Sequence, residues 1–142
     1  MCIAFYTEFA PTCFVSKTIL IADDSASMRL SVRMLLEGRH TELKVREAID
    51  GIDAVEKAKA FRPDLILLDL VMPRLNGAEA AAVLKNEMPE TPVILFTLTD
   101  LHIDSLSAAI DVDLISKADG VSKLLERVDA LLPPALPDKG AT

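Results

Sequence analysis

Five short apolar runs, each followed by a polar residue and then a helix-like pattern, constrain this chain more than any other feature. The runs are Thr18-Ile19-Leu20-Ile21-Ala22, Leu43 to Ile49, Leu65-Ile66-Leu67-Leu68, Pro92-Val93-Ile94-Leu95-Phe96 and Val112 to Ile115. Short runs rich in Ile, Leu and Val suit strands buried on both faces. The Leu43–Ile49 run is broken by Lys44, Arg46 and Glu47, which predicts an edge strand. The Leu65–Leu68 run is the most apolar and is expected at the centre of the sheet.

The intervening stretches carry helix signals. Ser25 is a candidate N-cap for a helix through about Glu37, with Met28, Val32, Leu35 and Leu36 at helical spacing and Gly38 as its C-terminal cap. Gly51 opens a second helix through about Phe61, stopped by Arg62-Pro63. After the turn signal Asn76-Gly77, an Ala-rich helix runs from Glu79 to about Glu87. A fourth is expected from about Leu101 to Ile110 with Asp100 as cap, and a last from about Val121 to Leu132, ended by Pro133-Pro134. Five strand–helix units predict a doubly wound α/β domain, a parallel sheet with helices on both faces.

In such sheets, ligands bind outside the carboxyl ends of the strands. The first strand ends in Asp23-Asp24, the third in Asp69, the fourth in Thr97 and the fifth at Lys117. Acid, hydroxyl and cation thus converge on one edge. Three neighbouring carboxylates repel one another unless a hard cation sits among them, and Mg²⁺ takes oxygen ligands together with phosphate oxygens. With Lys117 and Thr97 alongside, the set suits a phosphoryl dianion carried on the central carboxylate, and carboxylates are known nucleophiles for that group. Each residue alone has an ordinary explanation: a helix cap for the Asp pair, a turn for Asp69, a structural Thr, a solvated Lys. Their joint placement at strand ends carries the argument.

The net charge of −7 and the lack of a basic cluster exclude a broad nucleic-acid surface. Aromatic residues are 4% of the chain with no Trp, so the core must be aliphatic. Cys2 and Cys13 form no Cys-x-x-Cys pair, which argues against structural zinc; two thiols in a reducing cytoplasm and a disulfide both fit the sequence. Residues 1–16 match neither a signal peptide nor a membrane span. They read as an extension, loosely held or docked by its apolar side chains, or as an artefact of start-site choice. Residues 17–132 form the expected domain and 133–142 a short tail. His40 and His102 are expected at the surface, and Met28, Met34, Met72 and Met88 in packing roles.

The stretches Ile19-Leu20-Ile21-Ala22-Asp23-Asp24-Ser25 and Pro63-Asp64-Leu65-Ile66-Leu67-Leu68-Asp69-Leu70-Val71-Met72-Pro73, with Asn76-Gly77, Thr97, Lys117, and Gly51 with Ala54, resemble the receiver domain family of bacterial response regulators. The likeness runs from about Lys17 to Leu132. It implies the flavodoxin-like receiver fold with strand order 2-1-3-4-5. It implies Asp69 as phosphoacceptor, Asp24 as a direct Mg²⁺ ligand, Asp23 acting largely through bound water, and the Val71 backbone carbonyl completing the protein ligands. Lys117 would pair with the acceptor and then the phosphoryl group, and Thr97 would turn its hydroxyl toward it. The donor would be a phosphohistidine on a sensor histidine kinase or a histidine phosphotransfer protein.

Three positions depart from the family pattern. Leu114 stands where an aromatic residue usually takes part in the switch, so output through the fourth helix and fifth strand is in question. Ala118 replaces the usual Pro after Lys117, a position where a cis peptide is strongly disfavoured. Leu98 replaces a small residue; with Val71 it is expected to hinder attacking water. A dehalogenase-like phosphatase would need an acid two residues after Asp69, where Val71 cannot transfer protons. A nucleotide or flavin binder would need a phosphate-cradling loop, where Asp23-Asp24 stands instead. The expectation is a stand-alone cytoplasmic signalling module, not an enzyme in its own right, which acts through a downstream protein and touches neither nucleic acid nor membrane. The competing reading is a phosphorylation-independent pseudo-receiver serving as an interaction module.

Overall fold

A computed structural model describes residues 17–40, 42–98 and 112–132. In chain order these form β1 (Lys17–Ala22), α1 (Ala26–Arg39), β2 (Leu43–Ala48), α2 (Gly51–Phe61), β3 (Leu65–Leu68), α3 (Gly77–Glu87), β4 (Val93–Thr97), β5 (Asp113–Ser116), a 3₁₀ turn (Lys117–Asp119) and a final helix, α4 (Val121–Leu131). The helix expected over 101–110 lies outside the described residues, as do residues 1–16, His102 and the tail. No described helix is long and apolar enough to cross a membrane.

All five strands are parallel, in the order β2-β1-β3-β4-β5. The sheet has the order that the family resemblance implies, with β2 at an edge and β3 in the middle. Alternation along each strand explains why both faces are apolar. Leu20 and Ala22, Ile66 and Leu68, and Val93 and Leu95 join one core with Ala54 and Ala58 of α2 and Ala80, Ala81 and Leu84 of α3. Ile19 and Ile21, Leu65 and Leu67, and Ile94 and Phe96 join the other, with Val32 and Leu36 of α1 and Leu124 and Val128 of α4. The alanines let α2 and α3 lie close to the sheet and to each other.

Caps set the helix starts. The Ser25 side chain accepts from the Met28 N–H, as expected. Asp50 caps α2 through the Asp53 N–H. Asn76 and Glu79 form a reciprocal capping box, so α3 begins at Gly77, one half-turn before the expected Glu79. At the other end of α1 the spacing misleads: the helix runs through Gly38 and stops at His40, whose N–H reaches the Leu36 carbonyl.

His40 corrects a second expectation. Its turn position predicts exposure, yet its side chain is only 7% exposed, because Nε2 sits 2.7 Å from Asp129 of α4. Arg39 donates to the same carboxylate at 2.6 and 2.8 Å. Met34 corrects a third: it is 63% exposed, on an open α1 face beside Leu30, rather than packed.

Candidate functional site

The carboxyl ends of β1, β3, β4 and β5 meet where the sequence places the polar residues. The β1 and β3 ladders continue past their last strand residues. Asp23 N–H donates to the Ala48 carbonyl at 3.1 Å, and Asp69 N–H to the Ala22 carbonyl at 2.9 Å. The sheet hydrogen bonding therefore fixes the backbone of both acids. Strand alternation then sends Asp23 and Asp69 out on the side of Ile21 and Leu67, next to each other.

Asp23, Asp24 and Asp69 each bring a carboxylate oxygen within 4.8 Å of the others. Asp23 is buried, Asp24 exposed and Asp69 intermediate. The site thus has a closed floor and an open acidic rim. Lys117, only 8% exposed, enters from the turn after β5, with Nζ 2.8 Å from Asp23 and 3.4 Å from Asp69. Its ammonium also lies 5.7 Å from the centre of the Phe96 ring, within cation–π reach. The other oxygen of Asp23 accepts from the Ser25 N–H at 2.9 Å. Thr97 is 1% exposed and hydrogen-bonds to Asp69.

Burial is the largest influence on Asp69 and pushes its carboxyl above the usual carboxylate range. The Lys117 charge opposes that rise, the Asp23 charge adds to it, and hydrogen bonds from Thr97 and Lys117 oppose it. A further cation beside Asp69 would act in the same direction as Lys117. Three carboxylate oxygens, one of them on exposed Asp24, are the kind of hard donor that Mg²⁺ prefers.

The structure thus brings together Asp23, Asp24, Asp69, Thr97 and Lys117. Val71 lies two residues beyond Asp69 in the β3–α3 loop, with its side chain 64% exposed. Leu98, directly after Thr97, is 68% exposed. Leu114 is half-buried against the α2–α3 side of the core. The described backbone contains no cis peptide, at Ala118 or elsewhere.

Two residues in this region had no sequence signal as site components. Arg29 donates to the Asp23 carbonyl at 2.6 Å and to Glu47 at 2.8 Å. Arg74, at φ 67°, grips Asp50 through Nε at 2.8 Å and Nη2 at 3.1 Å. The one available clue to Arg74 is its place in a Pro-x-x-Asn-Gly turn, where a left-handed residue is usually Gly or Asn.

Residues 19–129 match the response regulator receiver domain family. A protein-glutamate methylesterase/protein-glutamine glutaminase of Thermotoga maritima is 34% identical over 113 residues, 77% of this chain and 33% of that protein. Response regulator MprA of Mycobacterium leprae is 35% identical over 128 residues, 87% of this chain and 54% of that protein. The chain spans from a third to about half the length of these two relatives. Among solved structures, response regulator TrrA of Thermotoga maritima, in complex with Mg²⁺-BeF, superposes with a TM-score of 0.75. It is 27% identical and aligns over 82% of this chain and 99% of that one. The parallel 2-1-3-4-5 sheet, the acids at its carboxyl edge and the match over residues 19–129 lead to one conclusion: the chain belongs to the response regulator receiver domain family of two-component signalling.

Proposed function

We propose that this domain takes a phosphoryl group from a phosphohistidine donor onto Asp69, with Mg²⁺ held by Asp24, Asp69, the Val71 carbonyl and, largely through water, Asp23. The observation that carries the reading is the half-buried Asp69, flanked by two further carboxylates, an ammonium and a hydroxyl. In an octahedral site with bonds of about 2.1 Å, oxygens stand roughly 3 to 4 Å apart. Carboxylates already within 4.8 Å of one another need only a small adjustment to reach that spacing. When bound, Mg²⁺ supplies charge neutralisation for the transferring oxygens.

The chain's own groups do the rest. Asp69 attacks phosphorus in line. The Asp69 O–P bond forms as the N–P bond of the donor breaks, and the imidazole nitrogen keeps the electron pair and takes up a proton. Lys117 pairs with the incoming phosphoryl oxygens, and Thr97 donates its hydroxyl to one of them. Asp23 already uses one oxygen on Ser25 and one on Lys117, which fits a water-mediated role, whereas exposed Asp24 is the better direct ligand.

Partners follow from this chemistry: a sensor histidine kinase or histidine phosphotransfer protein upstream, and a protein that reads the added charge downstream. The setting is cytoplasmic, and the chain's chemistry is limited to phosphoryl uptake and slow release. The acceptor can be mapped by borohydride trapping, which reduces an acyl phosphate to homoserine. The reading expects homoserine at Asp69, formed only with Mg²⁺; trapping at another residue would sink it. One observation favours a phosphorylation-independent module instead. Leu114 packs against the core and lacks the polar tip of the aromatic residue usual there. The completeness of the acidic pocket weighs more.

A further inference from the structure

The β2–α2 corner supplies no residue to the chemistry above, yet it grips the loop that leaves Asp69. That loop, Leu70 to Asn76, is closed at its neck by the Gly77 N–H, which donates to the Leu70 carbonyl at 2.8 Å. Close packing holds it on both sides. A β-carbon on Gly77 would overlap the Asp69 carbonyl, and one on Gly51 would overlap the Leu75 carbonyl. At the tip, Arg74 reaches across 24 residues to Asp50 with a two-pronged grip, at 2.8 and 3.1 Å. Asp50 is 6% exposed and at the same time caps α2 through the Asp53 N–H at 2.8 Å.

The backbone conformation at Arg74 gives this contact its meaning. A φ of 67° is left-handed, costly for a residue with a long side chain. Gly or Asn would adopt it more easily. A guanidinium that docks on a nearly buried carboxylate offsets the strain, since paired, bidentate ion contacts are the strong ones. Arg74 is thus held in a shape that an isolated turn would not choose, by a partner on another element. Val71 lies three residues before it in the same closed loop.

We infer that Arg74 and Asp50 form a clasp of positioning residues, which holds the β3–α3 loop in the shape that lets it contribute to the divalent cation site. The inference rests on the metal reading of Asp23, Asp24 and Asp69. The clasp acts through geometry and not through charge. This distinction makes it testable by sign. A through-space effect would tighten cation binding when Arg74 is neutralised and weaken it when Asp50 is neutralised. A positioning effect weakens it in both cases.

The experiment is calorimetric titration of Mg²⁺ alone into the unphosphorylated native chain and into Arg74→Asn, Asp50→Asn and the double variant. Asn is chosen at 74 because it tolerates left-handed φ, and at 50 because it keeps the helix cap. The clasp predicts that both single variants lose affinity, roughly tenfold, as outer-shell partners of metal ligands do. The double variant should be no worse than the weaker single. Arg74→Lys should not restore binding, because an ammonium lacks the fork. Melting of each variant without Mg²⁺ accompanies the titration, and a folded Arg74→Asn that binds Mg²⁺ as tightly as the native chain, or more tightly, overturns the clasp. If Arg74→Asn does not fold, Asp50→Asn with Arg74→Lys decides the same point, with unchanged affinity in both as the refuting result. A native chain that binds no Mg²⁺ would instead refute the metal reading, a distinct outcome.

Discussion

Lys117 is the residue on which the metal-free site turns. Its ammonium is closer to Asp23, at 2.8 Å, than to Asp69, at 3.4 Å, so it neutralises the acids in the absence of a divalent cation. A cation entering the site must compete with it. Lys117→Met is therefore expected to tighten Mg²⁺ binding by about tenfold, ~1.4 kcal/mol, and to lower the melting temperature of the Mg²⁺-free protein. Titration calorimetry and thermal melts check the two effects. Asp69 gives a pH prediction. Burial raises its pKa in the metal-free protein, whereas a bound cation favours the carboxylate. Mg²⁺ binding should then release protons, and its affinity should fall as pH drops toward the raised value. Titrations in buffers of different ionisation enthalpy, repeated as pH is lowered, would detect the release; no buffer dependence at any pH would contradict it. Leu98→Ala is expected to shorten the lifetime of the phosphorylated form, because Leu98 directly follows Thr97 and is exposed. An unchanged decay rate would remove Leu98 from that role. All five polar residues gathered at this edge were legible in the sequence, because each falls within two residues of the end of an apolar run that could be read. Arg74, Asp50 and Arg29 were not. Their contacts join residues 24 apart, or reach a backbone carbonyl, and no local pattern encodes such pairing.

At the scale of elements, α4 shows what one amphipathic face contributes. Leu124 and Val128 are fully buried against the sheet. Leu124→Ala should cost ~2–5 kcal/mol of unfolding free energy, the range for a buried Leu, measurable by chemical denaturation. The end of α4 is tied to the end of α1 by Asp129, which takes both Arg39 and His40. The Arg39 hydrogen bond, with a smaller share from His40, holds the Asp129 carboxyl below its usual range. A depressed pKa contributes stability that is present above the ordinary carboxylate range and lost as pH falls through the folded value. Asp129→Asn should therefore lower stability near neutral pH and flatten its loss in acid, as seen in melts across pH. Helix starts were readable from Ser25 and from the Asn76-Gly77 turn, since caps are local chemistry. The end of α1 was not, because Gly38 sits inside a helix that its packing against the sheet and the Asp129 tie carry on to Arg39. The burial of His40 has the same cause: its partner is 89 residues away.

Across the whole molecule, the parallel sheet explains why residues distant in sequence serve one site. Four strands end at one edge, and each end delivers its own chemical group: two carboxylates after β1, a third after β3, a hydroxyl from β4 and an ammonium after β5. The doubly wound class was legible because strand and helix periods alternate without a break. The same edge makes the central claim open to a single test. Intact-protein mass after incubation with Mg²⁺ and a small-molecule acyl phosphate, for the native chain and Asp69→Asn, asks whether this carboxylate accepts a phosphoryl group. The account predicts a gain of one phosphoryl group that requires Mg²⁺ and disappears in Asp69→Asn. A gain that persists in Asp69→Asn, or no gain in a native chain that also fails to bind Mg²⁺ and beryllofluoride, would contradict it.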